Sequence, residues 1–256
     1  MKQMVVISMS LLLLAFFGQS ACSKREANLS PVMVSDTATT PKDTSSPSGG
    51  GSAVTGSSKR YLALGDSYTI GESVSENARY PKQLQDSLAK YGIKLSAVDI
   101  IARTGWTTGD LLYQLQATPP VGTYDLVTLL IGVNNQYQGL SLSQYNTEFN
   151  ALLEKSKQYA GGNCNKVIVI SIPDYSVVPF SYYLDTTKIR TQLQQFNTTN
   201  KNITLNNGIK YVDVFALSQE AKYNKALVAS DSLHFSGLEY AKWTSLLVPL
   251  AKEILK

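Results

Sequence analysis

The chain is poor in the residues on which many reaction chemistries depend. Its 256 positions hold one histidine, His234, and two cysteines, Cys22 and Cys164. A single imidazole excludes a metal centre built on three histidines, and any Ser/His mechanism has to run through His234. Two cysteines exclude a disulfide scaffold, because one bridge to a flexible leader would stabilise little. Lys and Arg number 23 against 19 Asp and Glu, a formal charge of +4, and no dense basic cluster forms. The electrostatic footprint of a nucleic-acid binder is therefore missing. Long apolar runs are scarce too: residues 4–17 are apolar enough to notice and too short for a stable membrane span.

That run follows Lys2 and precedes the small and polar residues Gly18, Gln19, Ser20 and Ala21, which is the layout of a secretory signal over residues 1–21. Ser20-Ala21-Cys22 resembles the cleavage box of bacterial lipoproteins, with Gln19 where that family usually has an aliphatic residue. The resemblance implies a lipid-modified Cys22 and an extracytoplasmic protein held on a membrane by its acyl chains alone. The alternative is a soluble secreted protein cut after Ala21. Lys2 is the only charge in residues 1–21, so removal of the signal takes +4 to +3. Cys164 is then left as a structural thiol. Residues 22–58 are rich in Ser, Thr, Pro, Gly and Ala and cannot bury enough surface to offset the entropy of ordering them. They read as a tether reaching on the order of 30 to 40 Å.

From residue 59 to 256 the pattern changes to strand, loop and helix in alternation, which predicts one domain with a parallel sheet covered on both faces. Tyr61 to Leu64 is a buried strand ending at Gly65. Residues 80–91 predict a helix with Pro81 in its first turn and Gly92 as its stop. Residues 95–102 are the second strand, and Thr107 with Asp110 forms a capping box for a helix through Leu111, Leu112 and Leu115. Residues 124–131 are the most apolar strand and should be central. A helix carrying Tyr145, Phe149, Leu152 and Leu153, a strand over 166–172, a long loop over 173–185 and a helix over 187–203 follow. Residues 210–215 are the fifth strand. Ser236 and Glu239 predict a second capping box, opening a helix with Leu238, Trp243, Leu246, Leu247, Leu250 and Ile254 on its apolar side.

Four short motifs fall at the carboxyl ends of these strands, the edge at which open α/β sheets bind ligands. Gly65-Asp66-Ser67-Tyr68 presents a hydroxyl after the first strand. Arg103-Thr104-Gly105 follows the second, where a glycine lets backbone N–H groups approach a ligand. Gly132-Val133-Asn134-Asn135 follows the third and offers an amide donor. Asp231-Ser232-Leu233-His234 precedes the last helix and puts a carboxylate three residues from the imidazole. A serine hydroxyl attacks only when a base takes its proton, and an imidazole serves best when a carboxylate fixes its tautomer. Each motif alone is an ordinary turn or cap, and a lone histidine before a helix more often satisfies a backbone group. Their ordered convergence on one edge carries the inference.

In that order the four motifs resemble the sequence blocks of the SGNH, or GDSL-like, hydrolases, over the whole stretch from Tyr61 to the C-terminus. Two positions depart from the pattern: Tyr68 stands where the eponymous motif has leucine, and Asn135 where an aspartate is frequent. The resemblance implies a three-layer α/β/α sandwich with a five-stranded parallel, flavodoxin-like sheet, no metal or organic cofactor, and hydrolysis of esters. Carried over, it makes Ser67 the nucleophile, His234 the general base and Asp231 its orienting acid. The N–H groups of Ser67 and Gly105 and the amide of Asn134 become the oxyanion hole. The larger α/β-hydrolase fold is a poor match, since it places Gly-x-Ser-x-Gly in mid-chain and its acid well ahead of the histidine.

The loops at this edge are rich in aromatic and amide groups, with Trp106, Tyr137 and Tyr175 expected to touch substrate and Phe180, Tyr182 and Tyr183 close by. Such surfaces suit sugar rings, so the expected partner is a small ester or acylated carbohydrate carrying a short acyl group, acetyl first. A lysophospholipase or thioesterase on the same triad, and a lipid-tethered binding module that does not turn over ester, are the alternatives.

Overall fold

The computed structural model describes residues 59–256; the expected signal, the lipidated Cys22 and the tether lie outside the described residues. In chain order the elements are β1 (Lys59–Gly65), α1 (Ser67–Ile70), α2 (Tyr80–Ala89), β2 (Leu95–Ala102), α3 (Thr108–Ala117), β3 (Leu126–Leu130), α4 (Val133–Tyr137) and α5 (Leu142–Tyr159). They continue with β4 (Val167–Ile170), α6 (Thr186–Asn206), β5 (Lys210–Val212), α7 (Phe215–Ser218) and α8 (Gly237–Leu255). The five strands pair in the order β2-β1-β3-β4-β5, all parallel, with β3 central as its composition predicts. This is the doubly wound flavodoxin-like order, whose switch point lies between β1 and β3. Helices α2 and α8 pack on one face, and α3, α5 and α6 on the other.

Every residue of β3 is buried, as a strand covered on both faces requires. Its one polar side chain, Thr128, is satisfied by Tyr61 Oη at 2.9 Å and Tyr80 Oη at 3.3 Å, so the hydroxyl adds no unpaired group to the core. On the same side Trp243 of α8 meets the rings of Tyr240 at 4.9 Å, Phe235 at 5.7 Å and Tyr68 at 6.2 Å. These aromatics join α8 to the segments that hold Ser67 and His234, so burial on this face also sets the spacing of those two segments.

Three expectations need correction. The strand predicted over 210–215 ends at Val212, because Asp213 Oδ1 accepts the N–H of Phe215 at 3.0 Å and Ser171 Oγ accepts those of Val214 and Phe215, turning the chain out of the sheet. The helix starts at the predicted Ser236 box, yet the box itself does not form. Ser236 Oγ instead donates to Ala226 O at 2.7 Å, and the buried Glu239 accepts from Trp243 Nε1 at 2.8 Å. The apolar side of α8 is Tyr240, Trp243, Leu247, Ala251 and Leu255, while Leu238 and Leu246 are exposed. By contrast, the Thr107–Asp110 box is complete, with Thr107 Oγ1 accepting Asp110 N and Asp110 Oδ2 accepting Thr107 N.

Gly65 ends β1 against the backbone of β3. A Cβ there would fall 2.3 Å from Leu130 O and 2.1 Å from Thr69 Oγ1, and the carbonyl cannot move without disturbing the central strand. Gly65→Ala is therefore expected to destabilise the protein by about 2 to 4 kcal/mol, measured by urea unfolding; an unchanged midpoint would show that this junction is not tightly packed.

Candidate active site

The site is built where β1 and β3 end. After Gly65, Asp66 caps α1: its Oδ1 accepts Tyr68 N at 3.0 Å, and the N–H of Gly132 from the β3 end faces the same carboxylate. Ser67 is the first residue of α1 and 4% exposed. This four-residue helix and the five-residue α4 are too short to show a period in sequence. Both raise the first residues after a strand to the sheet edge.

Gly105, in the turn after β2, has φ 87°, and a Cβ there would meet nothing within 4 Å. Its backbone conformation, rather than crowding, favours glycine. Asn134 lies in the first turn of α4 and donates from Nδ2 to Trp106 O at 2.9 Å, which ties it to the Gly105 turn and leaves a second amide proton. Asn135 explains its own departure from the family pattern. Its Oδ1 accepts Thr108 N at 3.0 Å, and its Nδ2 donates to Thr108 Oγ1 at 2.6 Å while that hydroxyl donates to Glu148. With Glu148 taking the hydroxyl proton, the opposite position needs a donor, which a carboxylate is not.

His234 is 7% exposed in the loop ahead of α8. Its Nδ1 stands 2.5 Å from Asp231 Oδ2, and Asp231 Oδ1 accepts the N–H groups of Leu233 and His234, each at 2.9 Å. Ser73 Oγ donates to Oδ2 at 2.7 Å. Burial pushes the Asp231 carboxyl up, but the His234 ring, these two N–H groups and the Ser73 hydroxyl outweigh it and hold it at about 2. An ionised carboxylate only accepts, so the proton of a neutral His234 sits on Nδ1 and Nε2 keeps its lone pair. Tyr68 packs edge-on against the His234 ring at 5.7 Å, which gives the residue in place of leucine a role as a wall of the imidazole.

Ser67, Gly105, Asn134 and His234 all line one cleft of about 260 Å³, with Tyr68, Val133, Tyr137, Tyr175 and Phe180 among its other walls. No hydrogen bond joins Ser67 to His234 here; such bonds often tighten only around substrate. A model of the GDSL-like lipase/acylhydrolase family matches residues 63–242, which include all four motifs. The chain belongs to the GDSL-like lipase/acylhydrolase family. It is accordingly a carboxylic ester hydrolase.

Solved structures share the acylhydrolase's fold. TesA is 18% identical with a TM-score of 0.62, covering 77% of this chain and 100% of that one. A lipase/acylhydrolase from Enterococcus faecalis is 21% identical with a TM-score of 0.58, covering 77% and 97%. A variant of an acetyl xylan esterase from Geobacillus stearothermophilus is 18% identical with a TM-score of 0.59, covering 77% and 95%. No curated protein matches the sequence.

Of the three residues expected to touch substrate, Tyr137 and Tyr175 line the acylhydrolase's cleft. Trp106 does not: its ring packs against the core, and its carbonyl holds Asn134. Tyr182 and Tyr183 are exposed beyond the lining. Tyr175 is held by donation to Gln136 Oε1 at 2.7 Å, and burial pushes its hydroxyl up to about 12. The 173–185 loop is fastened by Asp174, a fully buried carboxylate that accepts Arg190 Nε at 2.9 Å, Gln219 Nε2 at 3.0 Å and Ser176 N at 2.9 Å. Sequence reading missed Thr104, Val133 and Leu233 as cleft residues and Ser73 as a partner of Asp231. Val133 and Leu233 could have been found inside their motifs; Ser73 lies 158 positions from Asp231 and carries no local signal.

Asp66 and Asp231 respond oppositely to their surroundings. Burial, only partly offset by the N–H groups of Tyr68, Gly132 and Asp66 itself, raises the Asp66 carboxyl to about 7. Asp66 is protonated in both folded and unfolded chains below about pH 4, and as pH rises the unfolded chain ionises first. Its contribution to stability is thus present at low pH and lost as pH climbs through 7, a change on the order of 4 kcal/mol. The lowered Asp231 acts in a separate window, with stability lost as pH falls from about 4 to 2. Asp66→Asn is expected to flatten the decline in unfolding free energy between pH 4 and 8, followed by urea titration at each pH. Parallel declines in both proteins would assign the pH dependence to other groups.

Proposed function

We propose that this acylhydrolase is an extracytoplasmic serine esterase that removes short acyl groups, acetyl first among them, from carbohydrate or similar small esters. The observation that carries the reading is one small cleft lined by Ser67, Gly105, Asn134 and His234, with Asp231 behind the imidazole. Ser67 Oγ attacks the ester carbonyl carbon while His234 Nε2 takes its proton. The oxyanion of the tetrahedral intermediate is met by the N–H groups of Ser67 and Gly105 and the remaining amide proton of Asn134. Collapse breaks the bond to the alcohol, which leaves with the proton from His234. Water then attacks the acyl-Ser67 ester with His234 as base, releasing the acid and restoring the hydroxyl.

A volume of about 260 Å³ is below the usual range of drug-sized pockets. It favours a short acyl group over a long chain, which needs a continuous apolar groove. The rings of Tyr137 and Phe180, 6.3 Å apart at the cleft, suit the apolar face of a sugar. One solved neighbour is an acetyl xylan esterase.

In full-length protein, Ser67→Ala should lower p-nitrophenyl acetate hydrolysis by about 10³-fold or more. Wild-type rates should fall as the acyl chain lengthens, and acetate should be released from acetylated oligosaccharides. Equal rates for wild type and Ser67→Ala would end the serine mechanism, and a preference for long-chain esters would replace the acetyl reading with a lipase-like one. The same proposal anchors the enzyme to a membrane through acylated Cys22. Cys22→Ser should move it from the membrane fraction to the soluble one, and retention in the membrane would count against the anchor.

A further inference from the structure

We propose that Ser73 is a positioning residue for the Asp231–His234 pair, an inference that rests on the serine-esterase reading. Among the described residues only two that are not glycine have positive φ, Ser73 at 62° and Ser232 at 65°. Both sit at the same carboxylate: Ser232 directly follows Asp231, and Ser73 reaches it from the turn after α1. Non-glycine residues held in this conformation are strained, and such strain persists where surrounding structure requires it. At Ser73 the requirement is visible, because its hydroxyl donates at 2.7 Å to Asp231 Oδ2, the oxygen that also meets His234 Nδ1. A glycine would suit the backbone better and would lose that bond.

The geometry divides the work between the two carboxylate oxygens. Oδ1 is fixed by the N–H groups of Leu233 and His234. Ser73 then sets the plane of the carboxylate, and so the direction from which Oδ2 meets the imidazole. The turn that supplies it begins in the nucleophile's own helix, with Gly71 N and Glu72 N both donating to Ser67 O at 3.0 Å. Its preceding residue, Glu72, accepts the hydroxyl of Thr104 beside Gly105. Two successive side chains after α1 therefore hold two loops, one carrying Gly105 and the other carrying Asp231 and His234. Ser73 is not a lining residue of the cleft, so its action on catalysis runs through Asp231. It is also solvent-exposed, where water can partly replace a lost donor, so the effect should be modest.

The test compares full-length wild type, Ser73→Gly and Ser67→Ala with p-nitrophenyl acetate. Ser73→Gly keeps the turn and deletes the hydroxyl; kcat should fall about three- to tenfold with KM within about twofold. Its thermal midpoint should change little, since relief of the positive φ offsets the lost bond to Asp231. His234 is the sole histidine, so the downfield Nδ1–H proton resonance is assignable without ambiguity, and it should shift in Ser73→Gly. A wild-type kcat with an unmoved resonance would overturn the proposal, as would a kcat loss accompanied by a lower thermal midpoint and an unmoved resonance. Inactive Ser67→Ala beside wild-type-like Ser73→Gly defeats this proposal alone; active Ser67→Ala defeats the serine-esterase reading itself.

Discussion

The close approach of β1 and β3 at their carboxyl ends is the constraint on which the rest of the molecule depends. At Gly65 the two backbones come so near that a methyl group would collide with Leu130 O. Immediately beyond, one chain enters α1 with Ser67 and the other enters α4 with Asn134. The buried Asp66 faces N–H groups from both ends. Parallel pairing of β1 with β3 thus holds a hydroxyl and an amide side by side before any loop packing is considered. The flavodoxin-like strand order places this junction at the topological switch point, where adjacent loops diverge and leave a crevice.

Asp231 and His234 reach the junction by a different route. They arrive on a loop ahead of α8, and α8 is seated by Trp243 against the rings of Tyr240, Phe235 and Tyr68. Apolar burial is non-directional and sets only the approximate position. Directional bonds set the rest, with the N–H groups of Leu233 and His234 and the hydroxyl of Ser73 aligning Asp231, and Asp231 aligning the imidazole. Phe180 N donates to Ser232 O at 3.0 Å, which fastens the 173–185 loop to the same place. Two carboxylates close to one serine consequently differ widely in acidity. Asp66 is dominated by burial and Asp231 by its donors.

Much of this was legible beforehand because the signals are local. Apolar runs marked β1 through β4, Pro81 and the Thr107–Asp110 pair marked helix starts, and the four motifs stood in family order. What went unread turned on which of several competing bonds a side chain makes once the chain is packed. Glu239 fits a capping box in the chain, but burial beside Trp243 recruits its carboxylate into a side-chain bond. Asp213 ends β5 early through a bond with its own backbone that competes with strand pairing. Trp106 reads as a substrate contact, while the structure packs it, partly buried, against the core and has its carbonyl hold Asn134.

The amino-acid order alone determined which groups were available: one imidazole, an acid three residues before it, a serine after the first strand, and a glycine and an asparagine after the next two. Periodicity likewise determined that they would share one edge of a parallel sheet, since side-chain alternation and helix spacing are properties of neighbouring residues. The tertiary structure alone decided how those groups are aimed. Contacts such as Ser73 with Asp231, or Asn135 between Thr108 and Glu148, join segments far apart in the chain. Hydrogen bonds depend on distance and angle in space, and those are settled only when the whole core packs.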